Sequence, residues 1–471
     1  MDRKYFLAID IGASSGRHIV GSIENDKLNL EEIYRFKNGV VSKDGSCYWD
    51  WENLIANIIE GLKVCKKINK IPYSVGIDTW GVDYALINEK GEVLDGVYSY
   101  RDDRTLITVN LVHELISERD LYLRTGIQKQ SYNTIYQLFD DKIKNRLDKA
   151  NSILLMPDFM NYLLTGVKMT EFSEASTTGL INVNTSDWDY ELIETLGFKK
   201  SLFGKISTAG TLVGSLSEEI QKQVGFDTKV VLVPSHDTAS AIMSVPEEKD
   251  YVYISSGTWS LMGIVNDEAI TSELAHKSGF TNERGYAGKI TFLQNIMGLW
   301  MIQCLRKELN DKYDFVQLVE EAKKYTNFPS VLDVNDQSFF APDSMIVAVK
   351  EYCKKTNQKI PNEVGELAFC LYNSLALCYK QAVEKLEVIS GKKYKNINIV
   401  GGGCQNTLLN ELTAKHTGRT VTAGPVEGTA IGNLISQILS EKSLSSLSEA
   451  KKIIKKSFEI TELNNERKNY V

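Results

Sequence analysis

Tyr5-Phe6-Leu7-Ala8-Ile9-Asp10-Ile11-Gly12-Ala13-Ser14-Ser15-Gly16-Arg17-His18-Ile19-Val20-Gly21-Ser22-Ile23 is an apolar run, a turn of small residues and a second apolar run. It predicts a strand over Tyr5–Ile11 and another over Arg17–Ile23, and the alternation of Leu28–Phe36 predicts a third. A Gly/Ser turn between paired strands presents backbone N–H groups and hydroxyls with little side chain in the way, which suits phosphate. Asp10, at the end of the first strand, is placed to hold the metal ion that travels with phosphates. An ordinary hairpin loop is the alternative reading, because Gly and Ser are common in turns. The same device restarts later: Tyr251–Ser255 reads as a strand, Ser256-Gly257-Thr258 as a tight turn and Trp259–Val265 as the returning strand.

Outward from the first hairpin, Trp51 to Ile68 carries apolar residues at 54, 55, 58, 59, 62 and 65, a helical stripe. Tyr73–Asp78 returns as a short strand, giving the order strand–strand–strand–helix–strand. After the second hairpin the chain predicts helices over 296–310 and 365–390. A strand at Asn396–Val400 follows, then Gly401-Gly402-Gly403-Cys404-Gln405-Asn406 and a helix from Thr407 to about His416. Thr420–Ala423 is the next strand, and a helix opens at Glu427-Gly428-Thr429-Ala430. The triple glycine lets backbone lie flat against a planar group such as adenine, where a Cβ would intrude. The expected architecture is therefore α/β, two diverged copies of one unit with a cleft between them. The boundaries are 1–245, 246–450 and a charged, fraying tail over 451–471. Residues 83 to about 225 fit less regularly and read as insertions that build a wall and lid. Within them Leu155–Gly166 predicts a helix ended by Gly166, and Glu174–Leu180 reads as a small-residue turn with no charge chemistry.

Lys229-Val230-Val231-Leu232-Val233-Pro234-Ser235-His236-Asp237-Thr238-Ala239-Ser240-Ala241 lies near the middle. Val230–Val233 suits a buried parallel strand, Pro234 closes it, and Ser235–Thr238 supply capping chemistry before a helical start. Asp237 then sits at a strand's carboxyl end and a helix's start, where open α/β sheets bind ligands. A carboxylate there can accept a proton from a substrate hydroxyl. A plain helix N-cap is the other reading.

Composition narrows the class. Of 471 residues, 43% are hydrophobic and 24% charged, the balance of a soluble globular protein. A net charge of −7 argues against a nucleic-acid surface. No apolar run reaches the ~20 residues that span a bilayer. The first residues enter a strand at once, so no signal peptide and a cytoplasmic protein are expected. Seven cysteines without a Cys-x-x-Cys pair argue against zinc. Cys353 and Cys370 could bridge, but free thiols are favoured in a reducing compartment. The five histidines show no ligand spacing. There is neither a P-loop nor a dinucleotide fingerprint.

The strand–strand–strand–helix–strand order of the first half, whose opening hairpin recurs in the second, is similar to the ribonuclease-H-like unit of the actin, sugar kinase and heat-shock chaperone superfamily. The chain resembles the FGGY carbohydrate kinases. The matching stretches are Asp10–Arg17, Gly76-Ile77-Asp78-Thr79-Trp80-Gly81-Val82-Asp83-Tyr84 and Ser235–Ala241. They continue with Ser255–Gly263, Asn295-Ile296-Met297-Gly298-Leu299-Trp300 and Gly401–Asn410, and the resemblance runs from residue 5 to about 440. It implies transfer of the ATP γ-phosphoryl group, with Mg²⁺, to the C1 hydroxyl of a ketose, L-rhamnulose first and L-fuculose or xylulose as alternatives. It places Ala13, Ser14, Ser15, Gly16, Arg17, Thr258, Gln303 and Gly402 at nucleotide-binding positions. Gly81, His236, Asp237, Thr238 and Asn295 fall at sugar-binding positions, with Asp237 as the base. His236 is read as a hydrogen-bond donor to the sugar or as a structural histidine, and Trp80 as a packing surface for the methyl end of a 6-deoxy sugar or as core. The expected partners are the sugar and ATP, with no nucleic acid or membrane, in a monomer or homodimer. A catalytically dead sugar sensor would be expected to lack Asp10 or Asp237, and a chaperone-type ATPase needs a peptide-binding extension.

Overall fold

The computed structural model describes residues 3–94, 96–247 and 249–464. The chain forms two compact units. Of the described residues, the first takes in those within 1–244, 265–292 and 429–457, and the second those within 245–264, 293–428 and 458–464.

In the first unit, six strands order as Leu212–Ser215, Lys229–Val231, Ser74–Thr79, Phe6–Ile11, Ser15–Glu24, Lys27–Lys37. Phe6–Ile11 is buried along its whole length, pairs antiparallel with Ser15–Glu24 and parallel with Ser74–Thr79. Burial on both faces explains its apolar run, which only Asp10 interrupts. The helix Trp51–Lys67 packs Leu54, Ile58, Leu62 and Cys65 beneath the sheet, and Asp50 caps it by accepting from Asn53 N–H. Two short strands, Val40–Lys43 and Ser46–Trp49, precede this helix and were not expected.

The insertions build a hydrophobic core of their own around Tyr84, Leu86, Tyr136, Leu155, Trp188 and Phe203. Its helix Met156–Thr165 ends at Gly166, whose φ of 75° is the left-handed cap expected there. Arg104 is buried in the same region, donating to Asp141 Oδ1 at 2.7 Å and to Gln137 Oε1 at 3.0 Å. The segment Glu174–Leu180, read as a turn without charge chemistry, starts inside the helix Phe172–Ser176 and turns only after it, at residues 177–179. That helix begins at the buried Glu171 and contains the buried Glu174.

The helix Gly428–Ser440 lies in the first unit from residue 429. Asn433 Nδ2 donates to Asp78 Oδ2 at 2.5 Å and to the Gly76 carbonyl at 3.1 Å. Gln437 Nε2 donates to the Leu7 carbonyl at 2.9 Å. These amides, one helical turn apart, carry late sequence back to the first sheet. The tail expectation is corrected in part. Leu447–Ser457 is a helix that buries Ala450, Ile453 and Ile454, because its apolar residues fall on one face. Residues 465–471 of the expected tail lie outside the described residues.

In the second unit, Tyr251–Ser256 pairs antiparallel with Trp259–Asn266 and parallel with Asn396–Val400, which pairs parallel with Thr420–Ala423. This repeats the arrangement around Phe6–Ile11, as the repeated hairpin predicted. The 296–310 helix expectation is corrected. Ile290–Met297 is a strand and the helix is Trp300–Glu308, because Gly298 interrupts the helical pattern. Val364–Ser390 is the long helix, ended by Gly391 at φ 68°. All seven cysteines are free, Cys353 and Cys370 included. Among the described residues, no helix is long and apolar enough to cross a membrane.

Candidate active site

Strand register assembles the first part of the site. Asp10 pairs with Asp78 across the parallel ladder and with Arg17 across the antiparallel one. Residues directly opposite one another project to the same face of a sheet, so two carboxylates and a guanidinium share one level. Arg17 Nη2 donates to Asp10 Oδ2 at 2.5 Å. Asp78 is fully buried, and burial, then the Asp10 charge, hold its carboxyl well above the usual range against the Asn433 hydrogen bond. In the turn, Gly12 N–H donates to the Ser15 carbonyl at 2.9 Å and Asn38 N–H to the Ser14 carbonyl at 3.0 Å.

The central stretch supplies the third carboxylate. The strand Lys229–Val231 is shorter than the apolar run that predicted it. Beyond it the chain bridges to the end of Ser74–Thr79, with Thr79 N–H donating to the Ser235 carbonyl at 2.9 Å. The helix Asp237–Met243 starts at once with His236 as its N-cap residue, which caps through no side-chain bond. The plain N-cap reading of Asp237 is thereby overturned: the cap position falls one residue earlier. Asp237 Oδ1 instead accepts from Thr238 Oγ1 at 3.1 Å. Its side chain is 37% exposed, against 12% for Asp10, so Asp237 is the carboxylate open to a reactant. Burial raises its carboxyl above the ordinary value, His236 opposes that, and Asp10 adds to it.

His236 Nε2 lies 3.6 Å from Asp237 Oδ1, and its Nδ1 lies 3.1 Å from Glu283 Oε2. Burial alone would push the imidazole pKa down. Glu283, Asp237 and Glu171 outweigh it and hold the pKa up to about 9. At neutral pH His236 is therefore an imidazolium, a donor at both nitrogens and no base.

Gly81 and Val82 form a constrained turn beside this centre. A Cβ at Gly81 would lie 3.0 Å from Thr177 Cγ2. Val82, at φ 73°, donates its N–H to Thr177 Oγ1 at 3.1 Å and accepts from Thr134 Oγ1 at 2.7 Å. Left-handed backbone at a β-branched residue costs roughly 1–3 kcal/mol and marks a turn held by its surroundings. Asp83 Oδ2 accepts from Trp49 Nε1 at 2.6 Å and Trp80 Nε1 at 3.0 Å, and the two indoles pack at 4.0 Å. Trp80 is thus a buried core residue, and the alternative of a sugar-packing surface is set aside.

The other residues marked by the resemblance, Thr258, Asn295, Gln303 and Gly402, fall in the second unit. Leu299 N–H donates to the Gly257 carbonyl and Trp300 N–H to the Thr258 carbonyl, both at 3.1 Å, which pins the second hairpin. Thr258 Oγ1 donates to Gln303 Oε1 at 3.4 Å. Asn295 lies half-buried on the strand Ile290–Met297. A Cβ at Gly403 would lie 2.0 Å from Ser256 Oγ, and one at Gly401 would lie 3.0 Å from the Ser256 carbonyl oxygen. A Cβ at Gly402 would meet nothing within 4 Å. Two of the three glycines therefore serve the chain's own packing, and Gly402 alone faces open space.

Two ribonuclease-H-like units, each with a Gly/Ser hairpin, and an open carboxylate at a helix start are the parts of a phosphoryl-transfer enzyme of this superfamily. Residues 5–244 match the model of the FGGY family of carbohydrate kinases, N-terminal domain, and residues 252–441 match that of the C-terminal domain. The chain belongs to the FGGY family of carbohydrate kinases. It is 45% identical over 458 residues to the rhamnulokinase of Halalkalibacterium halodurans, spanning 97% of this chain and 98% of that one. It is 43% identical to the rhamnulokinase of Bacillus subtilis, spanning 97% and 94%. The fold is shared with the gluconate kinase of Lactobacillus acidophilus at a TM-score of 0.80 and 18% identity, over 98% of this chain and 93% of that one. It is shared with the xylulose kinase of Rhodospirillum rubrum at 0.79 and 15%, over 98% and 94%.

Glu283, Glu171, Asn433 and Asp78 stand at or beneath the candidate site around Asp237 without having been singled out for a role by sequence. Asp78 lay inside a matched motif as a strand residue. Glu283 sits in Thr281-Asn282-Glu283-Arg284, four polar residues that are all buried on one strand, and only burial distinguishes them.

Proposed function

We propose that this chain transfers the γ-phosphoryl group of ATP to the C1 hydroxyl of L-rhamnulose, with Asp237 as general base. The observation that carries the chemistry is the open Asp237 carboxylate at a helix start, with His236 Nε2 3.6 Å away. The sugar is supported by the extended identity to proteins named rhamnulokinase, 38–45% over nearly their whole length.

In this reading Asp237 accepts the C1 hydroxyl proton as the oxygen bonds to the γ-phosphorus and the bond to the ADP oxygen breaks. Phosphoryl transfer is mostly positioning and charge stabilisation, so a carboxylate can take the proton late. Its raised pKa makes Asp237 a stronger base than a surface carboxylate. His236 donates Nε2–H to a sugar oxygen, and Gly81, Thr238 and Asn295 line the remainder of the sugar. Ala13 to Arg17, Thr258, Gln303 and Gly402 contact the nucleotide.

Hard oxygen donors at Asp10 suit Mg²⁺, which keeps most of its waters and needs one or two carboxylates in addition to phosphate. When bound, Mg²⁺ neutralises phosphate charge. Without a membrane-crossing helix among the described residues, and with ATP as co-substrate, we place the enzyme in the cytoplasm.

A coupled assay with L-rhamnulose, L-fuculose and D-xylulose tests the sugar, with the phosphate position read by NMR. L-Rhamnulose should lead in kcat/KM by at least about tenfold, the low end for a site that pairs hydroxyls of one configuration. Equal or reversed preference overturns the rhamnulose assignment.

A further inference from the structure

The helix start at Glu171 has a carboxylate that does more than cap its own helix. Glu171 Oε2 accepts from Glu174 N–H at 3.1 Å, the ordinary N-cap bond, and from Ser173 Oγ at 2.5 Å. It also accepts from Ser235 N–H at 3.2 Å, 64 residues away in sequence. Ser173 Oγ, while donating to Glu171, accepts from His236 N–H at 3.2 Å. Glu171 N–H is itself held by the buried Asp158 carboxylate at 3.1 Å. Glu171, Ser173 and Ser235 are all buried almost completely.

Two successive backbone N–H groups, those of Ser235 and His236, are thus anchored by two side chains of one short segment. The opposite side of the same peptide is tied by Thr79 N–H, which donates to the Ser235 carbonyl. Asp237 is the next residue, and Thr79 follows Asp78 on the strand paired with that of Asp10. This geometry gauges where the Asp237 carboxylate stands relative to the sheet end that carries Asp10. His236 supplies no cap of its own, so local helix chemistry does not set that place.

We propose that Glu171 and Ser173 are positioning residues for phosphoryl transfer, fixing the Ser235–His236 backbone so that Asp237 meets the acceptor hydroxyl; this rests on the reading of Asp237 as the base. Neither side chain touches the reactants. They act through the two peptide groups that precede the base, and a base displaced by about 1 Å loses up to about 10²-fold in rate.

The argument separates capping from anchoring. Aspartate is as good an N-cap as any residue, so Glu171→Asp can keep the start of the Phe172–Ser176 helix. Its side chain is one methylene shorter and cannot also reach Ser235 N–H. Ser173→Ala removes the His236 N–H acceptor and leaves the Glu171 cap. Both variants and Asp237→Asn are assayed as the full chain, with steady-state kinetics, calorimetric sugar binding and a thermal melt. The expected result for Glu171→Asp and Ser173→Ala is a kcat lower by at least about tenfold, as a misplaced base requires. KM for ATP and sugar affinity should stay near wild type. If one variant fails to fold, the other decides. A kcat within about twofold of wild type in a folded variant overturns the proposal, since positioning losses exceed that. So does a kcat loss matched by an equal loss of sugar and ATP binding, which marks a merely structural role. If Asp237→Asn is inactive while both others work normally, only the positioning role falls. An active Asp237→Asn overturns the base reading and this proposal with it.

Discussion

His236 Nδ1 stands 3.1 Å from Glu283 Oε2, and this pair sets the charge of the residue adjoining the candidate base. The two are 47 positions apart, on a helix N-cap and a strand. Glu283 leads the groups that outweigh burial and keep the imidazole protonated to about pH 9. A folded-state pKa above the ordinary ~6.5 means that the pair contributes stability in full below that value. The contribution is lost as pH rises through about 9. Between pH 7 and pH 9.5 the wild-type melting temperature should therefore fall more steeply than that of Glu283→Gln. The alkaline limb of kcat/KM should move to lower pH in the variant. Parallel melting curves across that range would show that Glu283 does not hold the charge.

Asp237→Asn should lower kcat by at least roughly 10²-fold, the low range for loss of a positioned acid/base group. Calorimetric binding of the sugar should change far less, because the amide keeps one acceptor oxygen. A loss below about tenfold would remove Asp237 from the role of base.

Asp10→Asn should raise the Mg²⁺ concentration for half-maximal rate, since a neutral amide is a poorer ligand for a hard cation. The substitution also releases Arg17 from its 2.5 Å ion pair. Arg17→Ala is therefore run beside it: if both give the same Mg²⁺ titration as wild type, Asp10 serves only the hairpin.

Gly402 and Gly403 should part company under the same change. Gly403→Ala places a methyl 2.0 Å from Ser256 Oγ, so the second hairpin must shift and the melting temperature should drop. Gly402→Ala meets no protein atom, so stability should hold while KM for ATP rises. An unchanged KM for ATP would take Gly402 off the nucleotide.

Asn433→Ala should destabilise the first unit by about 2 kcal/mol or more, because each buried polar group left without its partner costs about 1–3 kcal/mol. Asp78, the Gly76 carbonyl and Gln437 all lose a bond to this side chain. Chemical denaturation read against wild type checks this.

Local chemistry was legible in the chain itself. The largely apolar run Phe6–Ile11, the Gly/Ser turn and the repeat at Tyr251 predicted paired hairpins, because strand period and turn composition act over a few neighbours. The helix stop at Gly166 and the strands Asn396–Val400 and Thr420–Ala423 followed in the same way. The Ser-His-Asp-Thr stretch placed a carboxylate at a helix start. Tertiary structure alone decided what surrounds it. Glu283, Glu171 and Asn433 reach the site or its underside from 46, 66 and 196 residues away from Asp237, and each looked like an ordinary polar residue of its own element. Burial turns such groups into determinants of charge and position, since a carboxylate taken out of water must find a partner. The partner is chosen by strand register and helix docking, which no local spacing encodes. That is why a candidate base could be proposed from sequence, while the groups that surround it needed the fold.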